Sequence, residues 1–240
     1  QGVSSSCAAL VALALVLCVP SLASASPAST EVQLLSGSGP DDAVDWEFFC
    51  TAGRRSRAWT TIPVPSVWEQ HGFGSYDYGG DILSAGRPLA MEQGLYRHRF
   101  HAPARWKDRV VRLVFDGSMT DTEVLVNGRS AGPVHQGGFY RFHFDVTDLL
   151  RLGEENLLEV TVAKVSSNPS VNAAERAADY WVFGGIFRPV WLEAHPRHFV
   201  DWTAIDARAD GSFRAEVHLG TPTPGGRVEV QIVDSEGQPL

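Results

Sequence analysis

Asp179-Tyr180-Trp181-Val182-Phe183-Gly184-Gly185-Ile186-Phe187-Arg188-Pro189-Val190-Trp191 is the stretch on which the fold of this chain turns. Its paired glycines let the backbone bend, or approach a neighbour, where a Cβ would clash. The aromatics on either side need large apolar partners, so the bend is expected to lie against a core. Phe187 to Leu192 predicts a strand, and Pro189 places it at a sheet edge or at a strand start. Asp179, just ahead of the bend, is the side chain best placed to be aimed at a ligand.

Upstream, the pattern is one of short strands. Tyr96 to His101, Arg109 to Asp116 and Glu123 to Val126 are apolar and β-branched or aromatic. Asn127-Gly128 follows the third, and Asn-Gly is the strongest short hairpin signal. Phe142 and Phe144 alternate with Arg141, His143 and Asp145; Leu158, Val160 and Val162 alternate with Glu159 and Thr161. Such period-two patterns bury one face of a sheet. Ala58 to Pro65 is extended, and its two prolines exclude a helix and a central strand. Asp145 to Leu150 predicts a turn capped by Asp145 or Thr147. Val171 to Ala178 is the one further stretch with a helical cast. Many short strands separated by turn residues predict an all-β sandwich or jelly roll.

Beyond His195-Pro196-Arg197 the alternation resumes at Phe213, Ala215, Val217 and Leu219, and again at Val228, Val230 and Ile232. This predicts the opening strands of an immunoglobulin-like sandwich, which needs about 100 residues and seven strands to close.

The chain has 240 residues, 44% hydrophobic and 20% charged, with a formal net charge of −8. An acidic surface argues against nucleic acid as a partner, because phosphate contact needs basic groups. Cys7 to Val19 is almost wholly apolar, and Ala23 and Ala25 fit a small-residue cleavage site. Residues 1–25 are therefore predicted to be a signal peptide, although the segment has neither a Met nor a basic start. The run is too short for a comfortable membrane span, so the expected location is secreted or periplasmic, with no membrane attachment after processing. Residues 26–43, rich in Ser, Ala, Gly and Pro, predict a flexible leader. Of the three cysteines, two fall in the N-terminal segment, leaving Cys50, which makes neither an intramolecular disulfide nor a zinc site alone. No metal or other cofactor is expected.

Four stretches, in order, resemble the N-terminal sugar-binding domain of glycoside hydrolase family 2, the group of β-galactosidases, β-glucuronidases and β-mannosidases. They are Gly94 to Phe100, Phe115-Asp116-Gly117 with Val124 to Gly128, Phe144 to Leu150, and Asp179 to Val190. The resemblance implies a galactose-binding-like jelly roll over residues 44–196. It implies that residues 197–240 are a truncated immunoglobulin-like domain. The family's chemistry lies in a (β/α)₈ barrel of about 250 residues, for which the 240 residues have no room. Two glutamates there carry a retaining mechanism, with carboxylates about 5 Å apart. The family's Asn-Glu pair is absent from this sequence. A non-catalytic portion of a glycosidase, with a β-glycoside and the barrel of the same polypeptide as partners, is the expected identity. A free-standing carbohydrate-binding module and a structural adhesion-type sandwich are the alternatives.

The resemblance marks Asp179 as a substrate-binding acid that accepts hydrogen bonds from sugar hydroxyls, unless it pairs with Arg188. It marks Asp77 and Tyr78, in the loop His71 to Gly80, as further sugar contacts; here Gly79-Gly80 departs from the galactosidase pattern, and packing against the barrel is the other reading. Trp68, Trp181 and Trp191 either stack on a sugar or fill the core.

Overall fold

The computed structural model describes residues 29–81, 91–221, 227–233 and 235–238. The predicted signal peptide, residues 1–25, lies outside the described residues. Among these residues, no helix is long and apolar enough to cross a membrane.

Among the described residues fourteen strands are formed: β1 (Glu31–Leu34), β2 (Val44–Cys50), β3 (Trp59–Val64), β4 (Asp77–Tyr78), β5 (Gln93–His101), β6 (Val110–Phe115), β7 (Asp121–Val126), β8 (Arg129–Ser130), β9 (Phe142–Asp145), β10 (Glu155–Ala163), β11 (Trp181–Val182), β12 (Val190–His195), β13 (Val200–Ala207) and β14 (Phe213–Leu219). The α-helix Pro169–Glu175, α1, is capped by the Asn168 side chain, which accepts from Ser170 N. A six-stranded sheet, β3-β2-β5-β10-β7-β8, faces a four-stranded sheet, β1-β12-β6-β9. The pairings within both sheets are antiparallel. Trp46, Phe48, Tyr96, Val124, Leu158 and Val160 from the larger sheet meet Val111, Leu113, Phe115, Phe144, Val190 and Leu192 from the smaller one in a single core. The predicted all-β jelly-roll sandwich is the observed fold.

The local signals account for this directly. Asn127 and Gly128 adopt φ of 53° and 75°, the two positive values a tight hairpin turn demands. The Asn127 side chain is itself fastened. Its Nδ2 donates to Leu149 O at 2.9 Å and to Asn156 Oδ1 at 2.8 Å, while its Oδ1 accepts from Leu157 N at 3.0 Å. Asp145 Oδ1 accepts from Thr147 N at 3.0 Å and from the Thr147 hydroxyl at 2.6 Å, closing the predicted turn. Pro63 lies in β3, an edge strand. Pro189 immediately precedes β12, so the predicted strand begins after the proline, and Phe187 to Pro189 lead into it.

Two expectations are corrected. The leader predicted over residues 26–43 contains β1, which adds to β12 in the register Glu31↔Ala194 to Leu34↔Trp191. Its alternation is inverted: Val32 and Leu34 face solvent, 61% and 50% exposed. Glu31 is held by Arg105 at 2.7 Å, Arg109 at 3.2 Å and the Trp106 indole N–H at 3.0 Å. The chain beyond β1 is anchored too, because the Trp46 indole donates to Leu35 O at 3.1 Å. The second correction concerns the tail. β13 and β14 form a hairpin, but Val228, Val230 and Ile232 lie outside any strand and are exposed. Alternation alone makes no strand where no neighbour supplies a ladder or an apolar surface.

The hairpin pairs with no other strand among the described residues, and its side chains are almost all exposed. It is tied to the sandwich by the Arg112–Asp201 ion pair and by Phe199, whose ring lies 4.2 Å from that of His195. Few buried contacts mean low local stability. Hydrogen-exchange mass spectrometry is expected to show fast exchange across β13–β14 and slow exchange across Leu158 to Val162 of β10. Equal protection of the two would contradict this account.

Candidate functional site

The bend at Gly184-Gly185 is built around Trp68. This indole is fully buried, at the start of a 3₁₀ turn, Trp68–His71. A Cβ on Gly184 would stand 2.1 Å from its Cζ2, one on Gly94 2.8 Å from its Cζ3, and one on Gly74 2.8 Å from its Nε1. Glycine is required at all three because the ring occupies the space. Trp68 is thus a core residue.

Beneath the loop before β4 lies a buried charge cluster. The Lys164 side chain is wholly inaccessible, at the inner end of β10. Its Nζ stands 2.9 Å from Glu69 Oε1, 2.8 Å from Asp77 Oδ2 and 3.4 Å from Glu92 Oε2, and donates to Ser75 O at 2.5 Å. Glu69 also accepts from Gly184 N at 3.1 Å. One ammonium therefore joins the 3₁₀ turn, β4, the start of β5 and, through Glu69, the double-glycine bend. Burial pushes the Glu69 carboxyl above its ordinary value, against the pull of Lys164. Burial works to lower the Lys164 value, but the charge of Glu69 and the hydrogen bonds of Asp77 and Glu69 outweigh it and raise it.

Above this cluster, β4 pairs with β11 in the register Tyr78↔Trp181 and Asp77↔Val182. The loop of Asp77 and Tyr78 and the stretch after Asp179 are therefore brought together. Trp181 packs edge-on against Tyr76 at 5.9 Å and Tyr78 at 5.4 Å, and Tyr76 against Phe183 at 6.2 Å. Trp181 keeps half its surface open. Asp179 is exposed, between α1 and β11, with no hydrogen bond or ion pair to any described residue. The alternative pairing with Arg188 is not formed: Arg188 donates to Asp116 O at 3.5 Å and lies over the Phe187 ring. Asp77 instead faces inward onto Lys164, with its side chain 22% exposed. Trp191 lies under Arg141, 4.9 Å from guanidinium carbon to ring centre, away from this surface. Cys50 is buried, and burial raises its thiol value, so it is a packing residue.

Next to Trp181 opens a cavity of about 720 Å³. It is lined by Phe139, Tyr180, Phe183 and Phe187, by Pro40, Pro63 and Pro65, and by Arg176. Gln70 and His71 supply further polar groups to its wall.

The family model described as "Glycosyl hydrolases family 2, sugar binding domain" matches residues 42–196. The chain belongs to glycosyl hydrolases family 2. A beta-galactosidase of Thermoanaerobacter pseudethanolicus is 32% identical over 150 residues, 59% of this chain and 20% of the relative. One of Vibrio cholerae serotype O1 is 32% identical over 191 residues, 75% of this chain and 18% of the relative. The chain thus spans about a fifth of the length of these curated relatives. Among solved structures, a beta-glucuronidase from an uncultured Clostridium sp. superposes with a TM-score of 0.62 at 22% identity, covering 89% of this chain and 38% of that one. That likeness concerns the fold alone.

Within this family 2 domain, sequence reading missed Lys164, Glu69, Glu92 and Arg176. Lys164 did carry a signal: it continues the buried register Leu158, Val160, Val162 by two residues, and a lysine on an apolar face needs counter-charges. Arg176 gave none, because a single arginine near a short helix is ordinary.

Lys164→Met removes the cation from among three carboxylates. Breaking a buried ion pair from one side costs about 3–5 kcal/mol, so a loss of that order is expected in urea unfolding at neutral pH. A carboxyl whose folded value lies above its unfolded value favours the fold on the acid side of that window and costs stability as pH rises through it. Glu69 already has that sign, and loss of the ammonium strengthens it. The deficit of the variant is therefore expected to shrink as pH falls toward the ordinary carboxylate range. A deficit independent of pH would contradict the cluster's role.

Proposed function

We propose that this chain is the sugar-binding, non-catalytic N-terminal portion of an exported family 2 β-glycosidase of the β-galactosidase type, with residues 1–25 removed on export. The observation that carries the reading is the free carboxylate of Asp179 beside the half-open Trp181. An ionised acceptor bonds hydroxyl groups more strongly than a neutral one, and aromatic faces suit the C–H surface of a pyranose. The inward ion pair leaves Asp77 the part of a support, which holds Tyr78 and Trp181 in place from below. Catalysis falls to a barrel carried elsewhere on the same polypeptide, where one carboxylic acid protonates the leaving oxygen and one carboxylate attacks the sugar. The small share of the curated relatives that the chain spans supports this division of labour. A β-glycoside is the partner, and no cofactor is called for.

The longer polypeptide, encoded by the extended reading frame, supplies the test. A hydrogen bond to a charged group contributes about 1.5–3 kcal/mol. Asp179→Asn is accordingly expected to lower kcat/KM on a chromogenic β-glycoside by about 10- to 100-fold, with an unchanged melting temperature. The 240-residue chain alone is expected to hydrolyse none. Unaltered kinetics in the variant, or turnover by the short chain, would overturn the proposal.

A further inference from the structure

The turn between β2 and β3 carries Arg54-Arg55-Ser56-Arg57, and its first two arginines grip the loop before β4. The backbones meet first. Arg54 N donates to Gly74 O and Gly74 N to Arg54 O, each at 3.0 Å. Gly53 permits this approach, since a Cβ there would stand 2.5 Å from the Gly74 carbonyl carbon. The side chains then part. Arg54 Nε donates to Gly74 O at 3.1 Å, and its guanidinium carbon lies 4.8 Å from the centre of the Tyr76 ring. Arg55 Nη1 donates to His71 O at 3.0 Å, and its guanidinium carbon lies 4.4 Å from the centre of the Phe73 ring.

The two rings lead to different places. Phe73 is buried and packs on Phe48 in the core, with 5.0 Å between ring centres. Tyr76 is 48% exposed, so burial does not fix its ring. Its hydroxyl donates to Glu69 O at 3.2 Å, which holds one end. The Arg54 cation over its face supplies a second hold, because a guanidinium is drawn to the negative face of an aromatic ring. Tyr76 in turn meets Trp181 at 5.9 Å with the ring planes at 88°, and Phe183 at 6.2 Å. Arg54 is thereby joined to Trp181 through a single ring, whereas Arg55 leads into the core. An aromatic face held in place beforehand loses less freedom when a ligand arrives.

We propose that Arg54 is a positioning residue for sugar recognition. Lying over Tyr76, its guanidinium fixes the ring that holds Trp181 edge-on at the sugar-facing surface. It acts through Tyr76 and not by contact with the sugar. The inference rests on the proposed reading that Trp181 faces the glycoside. Arg55, on the same turn and against the same loop, serves the core alone and is the built-in control.

The test has two arms. In the first, the 240-residue chain is labelled with 5-fluorotryptophan and its seven indoles are followed by ¹⁹F NMR, the Trp181 signal being assigned with Trp181→Phe. Arg54→Gln is expected to shift the Trp181 signal and to leave in place that of Trp46, which is bonded to Leu35 O in the core. Arg54→Lys keeps a cation for the ring and is expected to restore the parent signal; Arg55→Gln is expected not to move it. In the second arm, the longer polypeptide is assayed on a chromogenic β-glycoside. Arg54→Gln is expected to raise KM about two- to fivefold, the worth of an exposed cation–π contact, with kcat unchanged. Arg54→Lys and Arg55→Gln are expected to keep the parent KM. An unmoved Trp181 signal in Arg54→Gln, an equal shift in Arg55→Gln, or a KM that Trp181→Ala raises and Arg54→Gln does not, would overturn this proposal alone. A KM unaltered by Trp181→Ala would overturn the sugar-facing reading of Trp181, and this proposal with it.

Discussion

A single ammonium group, sealed from water, holds together the parts of this domain that matter for recognition. Lys164 sits at the end of a core strand and gathers Glu69, Asp77 and Glu92 from three other segments. Buried ion pairs add little to stability when compared with apolar packing, but they discriminate sharply between arrangements, because a displaced partner leaves a bare charge. Here the arrangement so fixed is the join of β4 to β11. The loop containing Tyr78 and the segment after Asp179 are far apart in the chain, and a ladder of only two residues on each strand joins them. So short a pairing would be marginal alone. The charge cluster below and the aromatic contacts of Tyr76, Tyr78 and Trp181 above supply the rest.

Trp68 provides the other half of that support. Its indole lies between Gly94 on β5 and Gly184 in the bend, so the bend cannot move without opening the core. The same ring explains why a double glycine occurs there. Gly184 yields space to the tryptophan, and Gly185, at φ 130°, takes a backbone conformation that a side chain would resist. Rigid backing of this kind lets Asp179 and Trp181 be exposed without being loose.

Most of the sandwich was legible in the sequence because its strands obey period-two burial and its central hairpin uses Asn-Gly. The family resemblance rested on the same stretches. β1 was not legible because its polar residues, Glu31 and Gln33, face the protein and its apolar ones face water. The tail misled in the opposite sense: Val228, Val230 and Ile232 keep the alternation but belong to no strand among the described residues. At the candidate site, the family resemblance pointed to Asp179, Asp77 and Tyr78 but could not see which way each points. The inward turn of Asp77 depends on Lys164, some ninety residues away. The burial of Arg176 with Nη1 alone engaged depends on Phe183 and Met119, which lie near it only in the fold. Relations of that kind are three-dimensional and leave no local trace.

The fastening of Asn127 bears on how the protein ages. Asparagine before glycine is the dipeptide most prone to lose its amide, since the small neighbour lets the following backbone nitrogen attack the side-chain carbonyl carbon and close a succinimide. In this hairpin the carboxamide is gripped from both ends by Leu149, Asn156 and Leu157. These bonds restrain the carboxamide against the reorientation that ring closure needs for as long as the sheet stays intact. Conversion to aspartate or isoaspartate at this position would therefore record past unfolding rather than elapsed time.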